Sequence, residues 1–141
     1  MKVLVIGGSG FLGGHLGVSL GERGWTAVSL SRNKPIGYKR WNFLEGPEDL
    51  ASNLQDDKYD LVVNTVALSS HEECERSPDL ARTLNTFWAE KWANACREAA
   101  TSFIHISTDA VFSGETSTPY RELDFAEPFS VYGRTKLEGE K

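Results

Sequence analysis

The feature that most constrains the fold is a glycine-rich turn that directly follows a short apolar run at the start of the chain. Lys2–Ile6 is a β-branched run that suits a strand buried on both faces. Gly7, Gly10 and Gly13 follow with G-x-x-G-x-x-G spacing, and a helix of about a dozen residues is expected next, ending near residues 21–24. Glycine permits the tight turn and the close approach of backbone N–H groups to a pyrophosphate. The order strand, glycine turn, helix therefore predicts a dinucleotide-binding unit.

Strand and helix patterns alternate along the rest of the chain. Four further strands are expected at Thr26–Ser31, 40–44, 60–66 and 101–107. Helices are expected at 47–54, after a cap at Ser77 with Pro78 in the first turn, and from Val131 onward, following a polar loop at 116–130. This alternation predicts an α/β fold with a doubly wound, mostly parallel sheet of about five strands.

Composition narrows the class of protein. The 141 residues fit one domain, and a net charge of -5 argues against a nucleic-acid partner. The apolar run that opens the chain is too short for a secretory signal or a membrane span. Cys74 and Cys96 lack metal or redox spacing, which favours free thiols in a reducing cytoplasm. No metal site is expected, because the histidines are scattered: His15 on the first helix, His71 in a loop and His105 in the fifth strand.

Tyr132 and Lys136 form a Tyr-x-x-x-Lys pattern at the start of the last predicted helix. Residues four apart lie on one helical face. A phenol exchanges protons poorly near neutral pH because its reference pKa is about 10, and a nearby ammonium lowers that pKa by favouring the phenolate. The spacing suits a tyrosine that exchanges a proton with a carbonyl or an alcohol, although such pairs also occur by chance in surface helices.

The end of the second strand bears on the choice of cofactor. An acidic residue there would bind the ribose 2′-hydroxyl of NAD, whereas an arginine accommodates the 2′-phosphate of NADP. Residues 30–34 contain no acid, and Ser31 is followed by Arg32 and Lys34. The segment therefore favours NADP, with NAD or a merely solvated basic loop as the alternatives.

Four segments together resemble the extended short-chain dehydrogenase/reductase family, nearest to its branch of dTDP-4-dehydrorhamnose reductase-like sugar-nucleotide reductases. They are Asn64-Thr65-Val66-Ala67, Ser107-Thr108-Asp109-Ala110-Val111-Phe112, Pro119-Tyr120-Arg121-Glu122 and the run from Val131 to Glu140. The resemblance covers essentially all of the chain, which it identifies as a nucleotide-binding domain over residues 1–141.

The resemblance implies roles for individual residues. Tyr132 would donate the proton to a substrate carbonyl, Lys136 would lower the tyrosine pKa and hold the nicotinamide ribose, and Thr108 would bind the substrate oxygen in preference to Ser107. Asn85 would steady the lysine. The implied cofactor contacts are Gly7, Gly10, Phe11, Leu12, Gly13, Ser31, Arg32, Asn42, Phe43, Ala67, Tyr132 and Lys136. Asn42 departs from the family pattern, in which an aspartate usually stands beside the adenine.

Ala110 discriminates among activities within the family. Nucleotide-sugar dehydratases carry a glutamate at this position for proton transfer, and a methyl group cannot replace it. The resemblance therefore implies an NAD(P)-dependent reductase of a 4-keto nucleotide sugar. The alternatives are a non-catalytic regulatory subunit, like the β subunit of methionine adenosyltransferase, and an epimerase that retains its NAD.

Members of this family are about twice as long and commonly dimerise. The helix that carries Trp88 and Trp92 pairs with the Tyr-x-x-x-Lys helix across such dimers, so a homodimer is a reasonable hypothesis. The last sheet strands and a substrate-binding lobe are expected to be absent from these 141 residues. The chain is then interpreted as a fragment of a reductase or as a short natural form, weakly active or inactive alone.

Overall fold

The computed structural model describes residues 1–31, 39–40 and 50–141. Its sheet has five parallel strands in the order β3-β2-β1-β4-β5. The strands are β1 Lys2–Ile6, β2 Thr26–Ser31, β3 Lys39–Arg40, β4 Leu61–Asn64 and β5 Ser102–His105. This order reverses direction at β1 and is that of a doubly wound nucleotide-binding sheet, which confirms the predicted fold class.

Six α-helices are found in the described residues, together with a π-helical segment and a 3-10 turn. The α-helices are α1 Phe11–Glu22, α2 Leu50–Asp57, α3 His71–Arg76, α4 Pro78–Arg82, α5 Trp88–Glu98 and α6 Val131–Gly139. The π segment, Thr83–Phe87, lies between α4 and α5, and the 3-10 turn is Asp109–Val111. None of the described helices is long and apolar enough to cross a membrane.

The chain divides into two compact units. The first contains residues 1–66 and 91–106, and therefore all five strands with α1 and α2. The second contains residues 67–90 and 107–141, and therefore α3, α4, the π segment, the 3-10 turn and α6. The glycine turn lies in the first unit, and the Tyr-x-x-x-Lys helix lies in the second.

Both faces of β1 are buried, as the sequence pattern of that strand predicts. Val3 and Val5 form a core cluster with Leu20 of α1 and Val63 of β4. Successive strand residues point to opposite faces, and the intervening residues are buried as well: Leu4 and Ile6. This burial fixes the carboxyl end of β1. The glycine turn that follows it therefore lies at the carboxyl edge of the sheet, beside the central strand.

Two predictions between residues 32 and 57 are only partly tested. β3 is seen at Lys39–Arg40, where it pairs with Leu30 and Ser31, but the rest of the expected strand at 40–44 lies outside the described residues. α2 is seen from Leu50 to Asp57 and so ends three residues beyond the expected end.

The segment between β4 and the tryptophans differs from the prediction in three ways. His71 does not lie in a loop but opens α3, whose Ser70 hydroxyl accepts a hydrogen bond from Glu73 N (3.2 Å). Ser77 occupies the position before α4, yet within the described part of the chain its side chain accepts no capping hydrogen bond from α4. The single helix expected there is instead α4, the π segment and α5 in succession.

Candidate functional site

The glycine turn is built by direct contacts with the ends of neighbouring strands. Gly7 has a φ of +87°, a conformation that favours glycine, and Gly7 N and Gly8 N both donate to Leu30 O of β2 (3.0 and 3.1 Å). A Cβ on Gly13 would lie 2.3 Å from Gly7 O and 2.8 Å from Thr65 Oγ1. The turn and the first turn of α1 can therefore approach this closely only because these positions lack side chains.

The start of α1 is suited to a phosphate. Gly10 stands at the N-cap position, so no capping side chain covers the first N–H groups of the helix. Those N–H groups have no partners within the helix and attract anions. Phe11 is 85% exposed and Leu12 is 47% exposed at the same helix end. The cradle formed by Gly7, Gly10 and Gly13 therefore fits the pyrophosphate of a dinucleotide.

The strand ends beside this turn carry polar side chains that form hydrogen bonds. The Ser9 and Ser31 hydroxyls hydrogen-bond each other, and Thr65 Oγ1 donates to Ile6 O (2.7 Å). The Asn64 side chain accepts from Val66 N (3.0 Å) and lies 3.1 Å from His105 Nδ1. Three residues expected to contact the cofactor lie outside the described residues: Arg32, Asn42 and Phe43.

In the second unit, Thr108 begins the 3-10 turn that follows β5. Its Oγ1 accepts a hydrogen bond from Ala110 N (3.2 Å), and its backbone is extended at φ -151°. The side chain is half-buried. The hydroxyl of the preceding Ser107 instead hydrogen-bonds the Glu140 carboxylate near the end of α6. The Thr108 hydroxyl likewise donates to the Asp109 carboxylate (3.3 Å), so each of the two hydroxyls has a carboxylate partner.

α6 carries both members of the Tyr-x-x-x-Lys pattern on one face. Ser130 caps the helix by accepting a hydrogen bond from Gly133 N (3.0 Å), and Glu75 of α3 accepts one from Val131 N (2.8 Å). The Tyr132 ring is half-buried. Lys136, one turn later, is only 2% exposed. The helix start is therefore fixed from two sides next to the candidate catalytic tyrosine.

Burial lowers the pKa of Lys136 from its usual 10.5 to about 8, and this effect exceeds the opposing attraction of the Glu140 carboxylate. Desolvation disfavours the charged ammonium. A lysine whose pKa lies this close to neutral can gain or lose a proton at little cost. This property suits a group that supports proton exchange at a neighbouring side chain.

Asn85 connects the π segment to α6. It is fully buried, and its Oδ1 accepts from Leu68 N (2.7 Å) while its Nδ2 donates to Leu68 O (3.1 Å) and to Thr135 Oγ1 (3.0 Å). Thr86 Oγ1 donates to Thr135 O (2.8 Å). The asparagine implied by the family resemblance is therefore bonded to the residue beside Lys136.

Two glycines of α6 had no predicted role. A Cβ on Gly133 would lie 2.2 Å from Ala110 O of the 3-10 turn, and one on Gly139 would lie 2.4 Å from Asn85 O. These contacts bring α6 against the 3-10 turn that follows Thr108 and against the π segment. In the sequence this packing is signalled by the glycine directly after Tyr132. Which residue approaches that glycine cannot be read from the sequence, because the neighbour is set by tertiary contacts.

A doubly wound parallel sheet, a glycine turn after its first strand and a Tyr-x-x-x-Lys helix define a protein of the extended short-chain dehydrogenase/reductase class. The family model described as the RmlD substrate binding domain matches residues 1–141. The chain belongs to this family.

Known proteins with whole-chain similarity support this assignment. The chain is 33% identical to the dTDP-4-dehydrorhamnose reductase of Salmonella typhimurium, covering 100% of this chain and 46% of that relative. It is 31% identical to the methionine adenosyltransferase 2 subunit beta of Xenopus laevis, covering 99% and 42%. The crystal structure of UDP-glucuronic acid 4-epimerase from Bacillus cereus in complex with NAD superimposes with a TM-score of 0.82 at 28% identity, covering 99% and 50%. The chain thus spans about half the length of the curated relatives it matches.

Proposed function

We propose that the protein is an NADP-preferring reductase that acts on the keto group of a 4-keto nucleotide sugar. The observation that carries this proposal is the arrangement of α6, which holds Tyr132 one turn before the buried Lys136 and packs against the Thr108 turn through Gly133. The similarity to a dTDP-4-dehydrorhamnose reductase over the whole chain supports the same activity. Ala110 argues against a dehydratase, because it offers no carboxyl group for proton transfer at the sugar ring.

The proposed chemistry needs one proton donor from the protein. A bound nicotinamide cofactor would supply the hydride to the carbonyl carbon. Tyr132 would donate its phenolic proton to the carbonyl oxygen, and Thr108 Oγ1 would donate a hydrogen bond to the same oxygen. Lys136, protonated below its pKa of about 8, would favour the phenolate that Tyr132 leaves behind.

The glycine turn is the proposed site of the cofactor pyrophosphate, with Gly7, Gly10 and Gly13 admitting its oxygens to the backbone N–H groups. Ser31 lies at the end of β2, and Arg32 follows it in the sequence. The arginine supports a preference for NADP, whereas the solved relative noted above holds NAD. Asn42, Phe43 and Ala67 remain proposed cofactor contacts.

Calorimetric titration of the 141-residue chain with NADPH and NADH tests the cofactor proposal. NADPH should bind more tightly than NADH, and Arg32→Ala should remove most of the difference. Gly13→Ala should abolish binding, because its Cβ would fall 2.3 Å from Gly7 O. Gly17→Ala, in the same helix, is the matched control, since its Cβ would come no nearer than 3.5 Å to Ser29 Oγ. Equal NADPH binding by the Gly13→Ala and Gly17→Ala variants would contradict the assigned site.

A regulatory subunit is the second candidate, because the similarity to methionine adenosyltransferase 2 subunit beta also extends over nearly the whole chain. Tyr132→Phe in the complete protein separates the two functions. A reductase should lose most of its NADPH oxidation with a dTDP-4-keto sugar, whereas a regulatory subunit should stimulate a methionine adenosyltransferase unchanged. An epimerase would instead interconvert nucleotide sugars without net oxidation of added cofactor.

We further propose a cytoplasmic protein that acts as a homodimer. Free Cys74 and Cys96 support a reducing compartment. The dimer proposal rests on the family resemblance of the helices that carry Trp88, Trp92 and Tyr132. Size-exclusion chromatography with light scattering tests it, and a monomer across the micromolar range would contradict it.

A further inference from the structure

His71 contacts the proposed catalytic tyrosine. The imidazole and phenol rings have centroids 4.9 Å apart and are tilted by 54°. This distance lies within the range of favourable aromatic pairs. His71 is the first residue of α3, and its own side chain is exposed to solvent. A titratable and exposed ring therefore lies against Tyr132.

The contact is held by the local fold on both sides. Ser70 caps α3 directly before His71, and Glu75, one turn further along α3, accepts the hydrogen bond from Val131 N at the start of α6. α3 is thereby joined to α6 at two points, through the ring pair and through the Glu75 carboxylate. The position of His71 against Tyr132 follows from the packing of two helices within one compact unit.

Histidine is the side chain whose ordinary change of charge falls between about pH 5 and 8. A proton on the His71 ring would place a cation against the Tyr132 ring, which strengthens the contact. A cation this close also favours the phenolate over the phenol. Protonated His71 would therefore favour the phenolate form of Tyr132, as protonated Lys136 is proposed to do.

Charged groups of both signs lie on the helices that carry and adjoin this ring pair. On the helices that pack together here, they are Glu72, Glu73, Glu75 and Arg76 of α3, Asp79 and Arg82 of α4, and Arg134, Lys136 and Glu138 of α6, with Glu140 just beyond its end. Glu72 lies 3.8 Å from Arg76, and Arg82 lies 3.4 Å from Glu138.

We propose that His71 is a positioning residue for Tyr132, and that its protonation changes the electrostatic environment of the phenol near neutral pH. The inference rests on the proposed role of Tyr132 as proton donor and adds a second titrating group to that site. It predicts that the reduction rate of the complete protein depends on a histidine ionisation in addition to that of the Tyr-x-x-x-Lys pair.

The test is an NMR titration of the 141-residue chain labelled with carbon-13 at tyrosine Cζ and histidine Cε1, from about pH 5 to about pH 9. Tyr132→Phe and His71→Gln assign the two resonances. The Tyr132 Cζ resonance should show an inflection at the same midpoint as the His71 Cε1 resonance. His71→Gln should remove this inflection, and His71→Phe should remove it while retaining the ring contact. His15→Gln is the control, because His15 bonds Phe11 O within its own helix.

A Tyr132 resonance that is flat between about pH 5 and 8, or an inflection that survives in both His71 variants, would overturn the proposal. The folded state of each variant is read from its amide spectrum, and the two His71 variants are independent of each other. The titration needs no cofactor or substrate. A failure of the proposed reductase activity would therefore appear in the binding and turnover assays and not in this experiment.

Discussion

Asn85 Nδ2 donates a hydrogen bond to Thr135 Oγ1, 3.0 Å away, and both side chains are buried. The bond joins the π segment to the helix that carries the proposed catalytic pair. Thr135 Oγ1 donates in turn to Tyr132 O (3.0 Å). The backbone at the tyrosine is thus connected through two side chains to Leu68, because Asn85 also bonds both polar backbone groups of that residue. π-helical turns are frequent at functional sites. Here the π segment places the Asn85 side-chain amide where it bonds both Leu68 and Thr135 of α6.

Asn85→Ala should destabilise the chain by about 2 kcal/mol or more, because it leaves the half-buried Leu68 N–H without this acceptor and removes one hydrogen bond each from Leu68 O and Thr135 Oγ1. Urea unfolding measures the change, and hydrogen exchange should show faster exchange of the Leu68 amide. Thr116→Ala removes a hydroxyl that bonds Thr118 within an exposed loop, so it should change stability by less than about 0.5 kcal/mol. Similar losses in the two variants would contradict the role assigned to Asn85.

The first two strands and the glycine turn could be predicted because their determinants are local. Lys2–Ile6 is a continuous apolar run, and Gly7 and Gly13 occupy positions where a Cβ would collide with backbone or with Thr65. The Tyr132–Lys136 spacing is likewise visible in the sequence. The burial of Lys136, which is 2% exposed, is not visible there, because burial is set by tertiary packing.

α3 was not predicted, although the sequence contains a signal for the start of a helix there. Ser70 and Glu73 have the S-x-x-E spacing that marks a helix start, but six residues are too few for a clear hydrophobic period. The prediction of one helix from Pro78 was also incomplete, because a π turn has no recognisable sequence pattern. The contact between His71 and Tyr132 is made by α3 against α6, so it could not be foreseen without α3.

Gly133→Ala should destabilise the second unit by about 1–3 kcal/mol, because its Cβ would lie 2.2 Å from Ala110 O and 2.8 Å from Pro128 Cβ. It should also weaken turnover in the complete protein by displacing Tyr132 from the Thr108 turn. Gly21→Ala in α1 is the matched control, since its Cβ would meet no described atom within 4 Å. That substitution should stabilise the chain by about 0.5–1 kcal/mol. The two substitutions should shift the urea midpoint in opposite directions. A Gly133→Ala variant with an unchanged midpoint would refute the packing argument.

Both cysteines should resist thiol reagents in the native chain. Burial raises the pKa of the Cys96 thiol from its usual 9.0 to about 12, and burial, with the nearby Glu75 and Glu73 carboxylates, raises that of Cys74. The reactive thiolate is therefore scarce at pH 8. Ellman's reagent should modify neither thiol under native conditions, near pH 8, and both in guanidinium. Ser117→Cys, at an exposed loop position, should react at once, and rapid native labelling of the unsubstituted chain would refute the expectation.

The lowered pKa of Lys136 predicts a specific pH dependence of stability. Below about pH 8 the lysine is protonated in both the folded and the unfolded chain, and the folded state bears the full cost of a buried cation. Between that value and the unfolded pKa of 10.5 the unfolded chain binds more protons, so the free energy of unfolding should rise with pH, by at most about 1 kcal/mol per pH unit. Lys136→Met should lack this rise, whereas Lys91→Met, at an exposed position of α5, should retain it. Urea unfolding of the three proteins across this range measures the difference. A parallel pH dependence in the unsubstituted chain and in Lys136→Met would show that the lysine keeps an ordinary pKa and would remove the electrostatic support for its proposed action on Tyr132.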